Sequence, residues 1–236
     1  MKDAFVAVFG KPFGIVLFQL LEATQFTIYL SLIAFVGGGL IGLAVTAARV
    51  SPYKLIDRTF MAYTWLFQSV PLLMLLFLLG LGAPRLFQIQ IDPWLAAGIA
   101  LTLYTSAYLS EVWRGAITAV PDGQREGGKA LGLTLFQIML LIVLPQAFRL
   151  AIAPTVGFMV QIIKGTSLAY IIGFHDLMTI GKRWANSPLP GTQPFIIYPM
   201  MAMIYFSLCF PLSLWARRLE KRLGSASSKG GATAAA

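Results

Sequence analysis

The sequence predicts an all-α integral membrane protein with five transmembrane helices, and three observations carry that prediction. Of 236 residues, 58% are hydrophobic and only 11% charged, whereas a soluble domain is nearer a quarter charged. A chain so poor in charge cannot cover itself with a water-compatible surface. Its apolar residues fall into five runs long enough to span a bilayer, which takes ~20 mostly apolar residues in a helix. The basic residues between those runs alternate in density, as they do in a multi-pass protein. The length suits one compact bundle, not a bundle plus a large soluble domain.

The first run, Ala23 to Ala48, carries Gly37, Gly38, Gly39 and Gly42. In lipid, small residues let helices approach closely, so a packing face is expected there. The second, Leu55 to Leu81, follows Ser51-Pro52, which reads as an N-cap with proline at the first helical position. The third starts with the same signal at Asp92-Pro93 and runs to Ala116. The fourth covers Phe148 to Phe174 and the fifth Phe195 to Leu214. Upstream, Phe5 to Leu21 is broken by Gly10, Lys11, Pro12 and Gly14 and reads as an outer interfacial segment, with a sixth span as the alternative. No cleavage-like site follows a short apolar core, so no signal peptide is expected. The chain thus divides into an outer segment 1–22, a transmembrane domain 23–219 and an inner tail 220–236. From Gly224 the tail is mostly Gly, Ser and Ala and is expected to be disordered. Cys209, the single cysteine, lies in an apolar run and is read as a small buried hydrophobe.

The net charge of +9 would suggest nucleic acid in a soluble protein. Here the charges sit between apolar runs and set orientation instead. Arg49, Lys54, Arg58, Arg114, Arg125, Lys129, Arg149, Arg217, Arg218, Lys221, Arg222 and Lys229 place twelve on one side. Lys2, Lys11, Arg85, Lys182 and Arg183 place five on the other. Positively charged connections stay in the cytoplasm, so the N-terminus is expected outside and the C-terminus inside.

Between runs three and four lies Val120-Pro121-Asp122-Gly123-Gln124-Arg125-Glu126-Gly127-Gly128-Lys129-Ala130-Leu131-Gly132-Leu133. Pro-Asp-Gly is a reverse-turn signal. Glu126 to Leu131 has helical tendency weakened by Gly127 and Gly128, each costing ~1 kcal/mol relative to alanine. Gly132 is a helix stop, and Thr134 with Gln137 has capping-box spacing. The sequence therefore spells turn, short helix, stop, new helix. A helix this polar cannot lie in hydrocarbon and should protrude into the cytoplasm, its central glycines leaving a smooth face for a partner. A floppy cytoplasmic loop is the alternative on periodicity alone.

This stretch resembles the "EAA" signature of the membrane subunits of bacterial ABC importers. In that signature Glu-Ala-Ala is followed by three residues, Gly, nine residues and Ile-x-Leu-Pro. Here it reads Glu126-Gly127-Gly128, Gly132 and Ile142-Val143-Leu144-Pro145, with every interval kept and glycine at both alanine positions. Further stretches are similar to the polar amino-acid permease subfamily: Ala107 to Gly115, Gly123-Gln124, Pro145 to Arg149, and Lys164-Gly165-Thr166-Ser167-Leu168. The chain departs from that subfamily at Gly165, usually acidic, and at Gln68-Ser69-Val70-Pro71, often Arg-Gly-Thr-Pro.

The resemblance implies an ABC importer type I transmembrane domain in the bacterial inner membrane. It makes residues 122–133 a cytoplasmic coupling helix, with Gly123, Glu126, Gly127, Gly128 and Gly132 as ATPase-coupling positions. It implies two cytoplasmic ATPase subunits, a second permease chain (identical or sister), a periplasmic amino-acid-binding protein and membrane lipid as partners, and no nucleic acid. This chain would bind no cofactor and be no enzyme, ATP-Mg being used by the partner ATPase. The residues agree: no Gly-x-x-x-x-Gly-Lys-Ser/Thr loop occurs to cradle phosphates.

Ionisable residues inside a span are costly and default to functional candidates. Glu111 stands three residues before Arg114 and reads either as a structural ion pair or as part of a substrate path. Lys164, with Thr166 and Ser167, could meet a substrate carboxylate or satisfy carbonyls in a broken helix. Gln68 and Ser69 precede Pro71, which frees the backbone from strict helical bonding, so they could line a path or bond between helices. Glu22 and His175 are expected at the surface. An ion-coupled carrier working alone would show several embedded carboxylates or an inverted repeat, and the nine acidic residues fall mostly at span ends and loops. A scaffold without transport leaves the Glu-Gly-Gly segment unexplained.

Overall fold

A computed structural model describes Ala7 and residues 10–232. Lys2, the Phe5 start of the outer segment and the last four tail residues lie outside the described residues. Ten helices follow one another among those described. They are α1 (Phe13–Arg49), α2 (Lys54–Ser69), α3 (Leu72–Phe77), α4 (Ala83–Phe87) and α5 (Pro93–Thr118). Then come α6 (Asp122–Ala130), α7 (Leu135–Gln137), α8 (Leu144–Thr166), α9 (Leu177–Ala185) and α10 (Pro194–Ala232). A π-helical turn, Leu78–Gly82, joins α3 to α4, and another, Ile138–Val143, joins α7 to α8. A 3₁₀ turn, Ser167–Ile172, follows α8.

Among the described residues, four helical stretches are long and apolar enough to cross a membrane: Phe13–Arg49, Pro93–Thr118, Leu135–Ile172 and Pro194–Arg222. The fifth candidate is a bent pair, Lys54–Ser69 and Leu72–Phe87, whose halves together are long and apolar enough and which turns through 95°, as a broken span or a re-entrant segment does. The break falls at Val70-Pro71, where both residues leave helical dihedrals (ψ 123° and 137°). Proline removes a backbone donor and pushes its predecessor out of the α region, so the bend sits where the sequence demands it.

Several boundaries differ from expectation. The first helix starts at Phe13 and has no break at residue 22, so residues 13–22 continue α1. Thirty-seven residues make a rod ~55 Å long, well beyond the ~30 Å hydrocarbon core. Tertiary packing holds this extension: Val16 and Leu20 are buried with Leu177, Ile197 and Met201, and the Trp184 indole donates to Gln19 Oε1 at 2.8 Å. Ser51-Pro52 lies ahead of α2, whose N-cap is Tyr53, whereas Asp92 caps α5 as expected, accepting from Trp94 N at 2.6 Å. The fourth span begins upstream of Phe148, because its helix runs on from Leu135. The tail backbone is helical from Gly224 to Ala232 instead of irregular. Ser and Ala (the best helix former) extend a helix already nucleated by Pro194 to Leu223, so no nucleation cost falls on the tail.

The main core lies where α1, α3, α5 and α8 meet, around Leu30, Leu76, Leu101, Ile162 and Phe174. The glycine cluster of α1 is a packing face. A Cβ on Gly38 would stand 2.5 Å from Thr105 Cβ, and one on Gly42 3.2 Å from Ser106 O. Thr46 Oγ1, one turn on, reaches the Ser110 carbonyl at 3.3 Å. Small residues thus bring α1 and α5 to backbone contact along their shared length.

Candidate functional site

The segment after α5 folds as its residues dictate. Pro121 is the N-cap of α6, so Pro-Asp-Gly forms the entry to a helix in place of a separate turn. Gly132, at φ +77°, ends it. Gly132 N donates to Lys129 O at 2.9 Å and Leu133 N to Gly128 O at 3.1 Å, the paired bonds of a Schellman stop. Thr134 and Gln137 then form both halves of a capping box and start the fourth spanning helix.

The two central glycines of α6 face opposite ways. Gly127 is exposed and a Cβ there would meet nothing within 4 Å. Gly128 is buried, and its Cβ would stand 2.8 Å from Ile138 Cγ1 and 2.9 Å from Ile142 Cδ1. The smooth outward face expected of both belongs to Gly127 alone. Gly128 is small so that α6 can lie against its own chain. Gly123, Glu126 and Gly132 are exposed. Arg125 turns inward, its Nη2 donating to Ile117 O in the last turn of α5 at 3.0 Å. Gln146 Nε2 donates to Gln124 Oε1 at 3.3 Å.

The polar residues inside the spans separate into two groups. Near the end of α5, Glu111 is fully engaged: Oε1 accepts from Arg49 Nη1, and Oε2 from Arg114 Nη2 at 2.8 Å. Arg49 also bonds Asp57 Oδ1 at 3.0 Å and Thr64 Oγ1 at 3.1 Å, with only 6% of its side chain exposed. One guanidinium therefore ties α1, α2 and α5 together. The sequence displayed Arg49 as an orientation charge only, since a partner 62 residues away leaves no local signature.

The second group sits where two helix breaks meet. A Cβ on Gly165 would lie 3.0 Å from Leu72 Cδ2, and one on Gly80 2.5 Å from Ile172 Cγ2. The bend of span two thus packs along the 3₁₀ turn of span four. Gln68 Nε2 donates to Ala107 O at 3.2 Å, a bond between α2 and α5. Thr166 and Ser167 donate back to Ile163 O and Lys164 O at 2.7 and 2.6 Å. Ser69 and Lys164 remain exposed on the bundle surface. Glu22 and His175 are exposed as well.

Asp176 was not among the candidates. It is fully buried between α9, α1 and α10 and caps α9, Oδ1 accepting from Thr179 N at 2.9 Å. Its Oδ2 is buried without a hydrogen-bond partner among the described residues. Burial pushes the carboxyl up to about 6, against the pull of the hydrogen bonds from Thr179. Among the described residues no group of three or more His, Cys, Asp or Glu side chains is placed to hold a metal.

Residues 38–225 match the family described as binding-protein-dependent transport system inner membrane component. A probable glutamine ABC transporter permease of Bacillus subtilis (strain 168), GlnM, is 34% identical over 84% of this chain and 89% of its own length. The L-cystine transport system permease TcyB of the same organism is 35% identical over 84% and 83%. Among solved structures, an amino acid ABC transporter crystallised with histidines superposes with a TM-score of 0.80 at 27% identity, covering 86% of this chain and 94% of that one. An inward-facing methionine ABC transporter shares the fold, with a TM-score of 0.72 at 19% identity over 87% and 96%. With its helical spans, its broken second span and its short polar helix in place, the chain belongs to the family of binding-protein-dependent transport system inner membrane components.

Proposed function

We propose that this permease subunit carries polar amino acids and is driven through α6 by cytoplasmic ATPases. The observation that carries the reading is the two-sided α6. One face is locked onto the subunit by Gly128, and the other, with Gly123, Glu126 and Gly127, is open and nearly featureless. Four charged residues among nine keep this helix in water, and the glycine-smoothed face it leaves open suits the docking of a second protein. The excess of Lys and Arg in the connections on that side supports a cytoplasmic α6 and an outer N-terminus. The substrates named for the relatives support polar amino acids. The chain holds no nucleotide and the partner ATPases use the ATP-Mg, two of them serving two permease chains, with a periplasmic binding protein delivering substrate.

The translocation path runs along the surface where the breaks of spans two and four meet. A lysine facing lipid is costly, so exposed Lys164 marks a face covered by water or by the second permease chain. Broken helices are tolerated at membrane depth only where they line a cavity or are buried in protein. Ser69 shares that surface. Gln68, Thr166 and Ser167 shape the breaks through their backbone bonds. Glu111 is accounted for by Arg49 and Arg114.

The test is reconstitution. Liposomes holding the permease, its cognate ATPase and binding protein should take up amino acid only with ATP. Uptake by the permease alone would overturn the reading. Gly127→Trp should abolish co-purification of the ATPase while the subunit still inserts, and retention of both ATPase and transport would remove α6 from the docking role.

A further inference from the structure

Helix α6 is too short to hold its own position. A nine-residue helix is marginal in water at best, and its interior glycines each weaken it by ~1 kcal/mol. Its place must come from anchors, and the structure supplies two of different kinds. Toward span four the anchor is mainly apolar: Gly128 lies on Ile138 and Ile142, with Gln146 Nε2 donating to Gln124 Oε1 at 3.3 Å beside it. Toward span three it is a single polar contact, Arg125 Nη2 to Ile117 O. Ile117 is next to last in α5, so its carbonyl is one of the four that a helix leaves unsatisfied at its C-terminus. A guanidinium there both fills the acceptor and meets the negative end of the helix dipole.

The two anchors lead to different parts of the bundle. Gly128 leads into the fourth span. Arg125 leads into α5, whose next turns up carry Arg114 and Glu111, joined through Arg49 to α1 and α2. The Arg125 anchor rests on that one bond: its Nε is buried without an acceptor among the described residues. We propose that Arg125 is a positioning residue that transmits displacement of α6 to α5, and so links ATPase movement to spans one to three. This rests on α6 being the ATPase-docking helix.

Three variants test it in the assembled transporter: Arg125→Met, which keeps the stem and removes the donors, Arg125→Gln, which keeps a neutral donor, and Arg125→Lys, which keeps a charged one. Amino acid moved per ATP should fall about tenfold in R125M, the scale of one lost charge-assisted hydrogen bond. The ATPase should still co-purify at the wild-type yield. R125K should recover at least half of the coupling and R125Q less. In a Cys209→Ser background, spin labels on Lys129→Cys and Thr118→Cys should give a distance distribution at least twice as broad in R125M as with Arg125 present. Coupling within twofold of wild type in R125M would overturn the proposal. So would R125K performing no better than R125M, or loss of ATPase binding in R125M, which would make Arg125 part of the docking face. Should R125M fail to fold, the order of R125K above R125Q decides alone. Failure of the docking reading itself shows separately, as a Gly127→Trp variant that keeps its ATPase.

Discussion

Asp176 makes the stability of this protein fall as pH rises, in a window where most proteins gain stability from their carboxylates. Its side chain is fully buried, one oxygen has no partner, and among the described residues it makes no ion pair. The titratable group that interacts with it electrostatically is the Tyr205 hydroxyl on α10. Thr27 on α1 is engaged with Leu177 N at 3.3 Å. His175 precedes Asp176 in sequence and is exposed, Lys182 lies over the Tyr170 ring and Arg183 Nη2 reaches His175 Nε2 at 3.5 Å. The folded protein thus holds the Asp176 proton up to about pH 6, against 3.8 for a free carboxyl. Below pH 4 the carboxyl is neutral in both states and costs nothing extra. Between pH 4 and 6 the unfolded chain releases the proton first, so stability drops, and above pH 6 the full penalty of about 3 kcal/mol is in place. Asp176→Asn keeps the capping oxygen, and asparagine caps as well as aspartate. It should match wild type at pH 4 and be more stable at pH 8 by up to about 3 kcal/mol, or roughly 6–12 °C in Tm for a chain of this size. Cys209, the buried lone thiol, provides the assay: a thiol-reactive dye reports its exposure on heating in detergent, with both proteins compared at each pH. A D176N variant no more stable than wild type at pH 8, or wild-type stability rising from pH 5 to 8, would refute the argument.

Other perturbations follow from single contacts. Arg49→Met strips the shared cation from Asp57 and Glu111 and should cost about 3 kcal/mol, the lower end for a broken buried pair because both carboxylates are partly exposed; thermal unfolding of R49M beside an Arg49→Met/Glu111→Gln double variant should show partial recovery. Gly38→Val drives methyls into Thr105, whose Cβ a glycine substituent would meet at 2.5 Å, and should cost about 1–3 kcal/mol, eased by Thr105→Ala, as the same dye assay can measure. Gly127→Trp and Gly128→Trp should part company. The first should leave Tm unchanged and lose the ATPase in a pull-down, whereas the second should lower Tm by displacing α6 from Ile138 and Ile142.

Local rules were enough at several points where one stretch of chain decides its own shape, though not at Ser51-Pro52, which lies ahead of α2. The stop at Gly132, the capping box at Thr134 and Gln137, the cap at Asp92 and the bend at Pro71 all appear where their residues stand. The site was half legible for the same reason. The polar segment after α5 announced a protruding helix, but not that Gly128 faces inward and Gly127 outward, because two adjacent glycines look alike until Ile138 and Ile142 fold back on one of them. Asp176 gave no signal at all, since its burial comes from three helices far apart in the chain.

By itself, then, the sequence determined the solvent, the order of the spans, the capping box at Thr134 and Gln137 and the spaced motif that marks a permease. These depend on composition and on torsions fixed by near neighbours. The tertiary structure alone decided that α1 runs unbroken from Phe13, held by Trp184 and Met201. It decided that Glu111 belongs to Arg49, and that Arg125 ties α6 to α5. Each of those depends on groups brought together by folding, and a charge or a glycine acquires its role only when the opposite surface arrives.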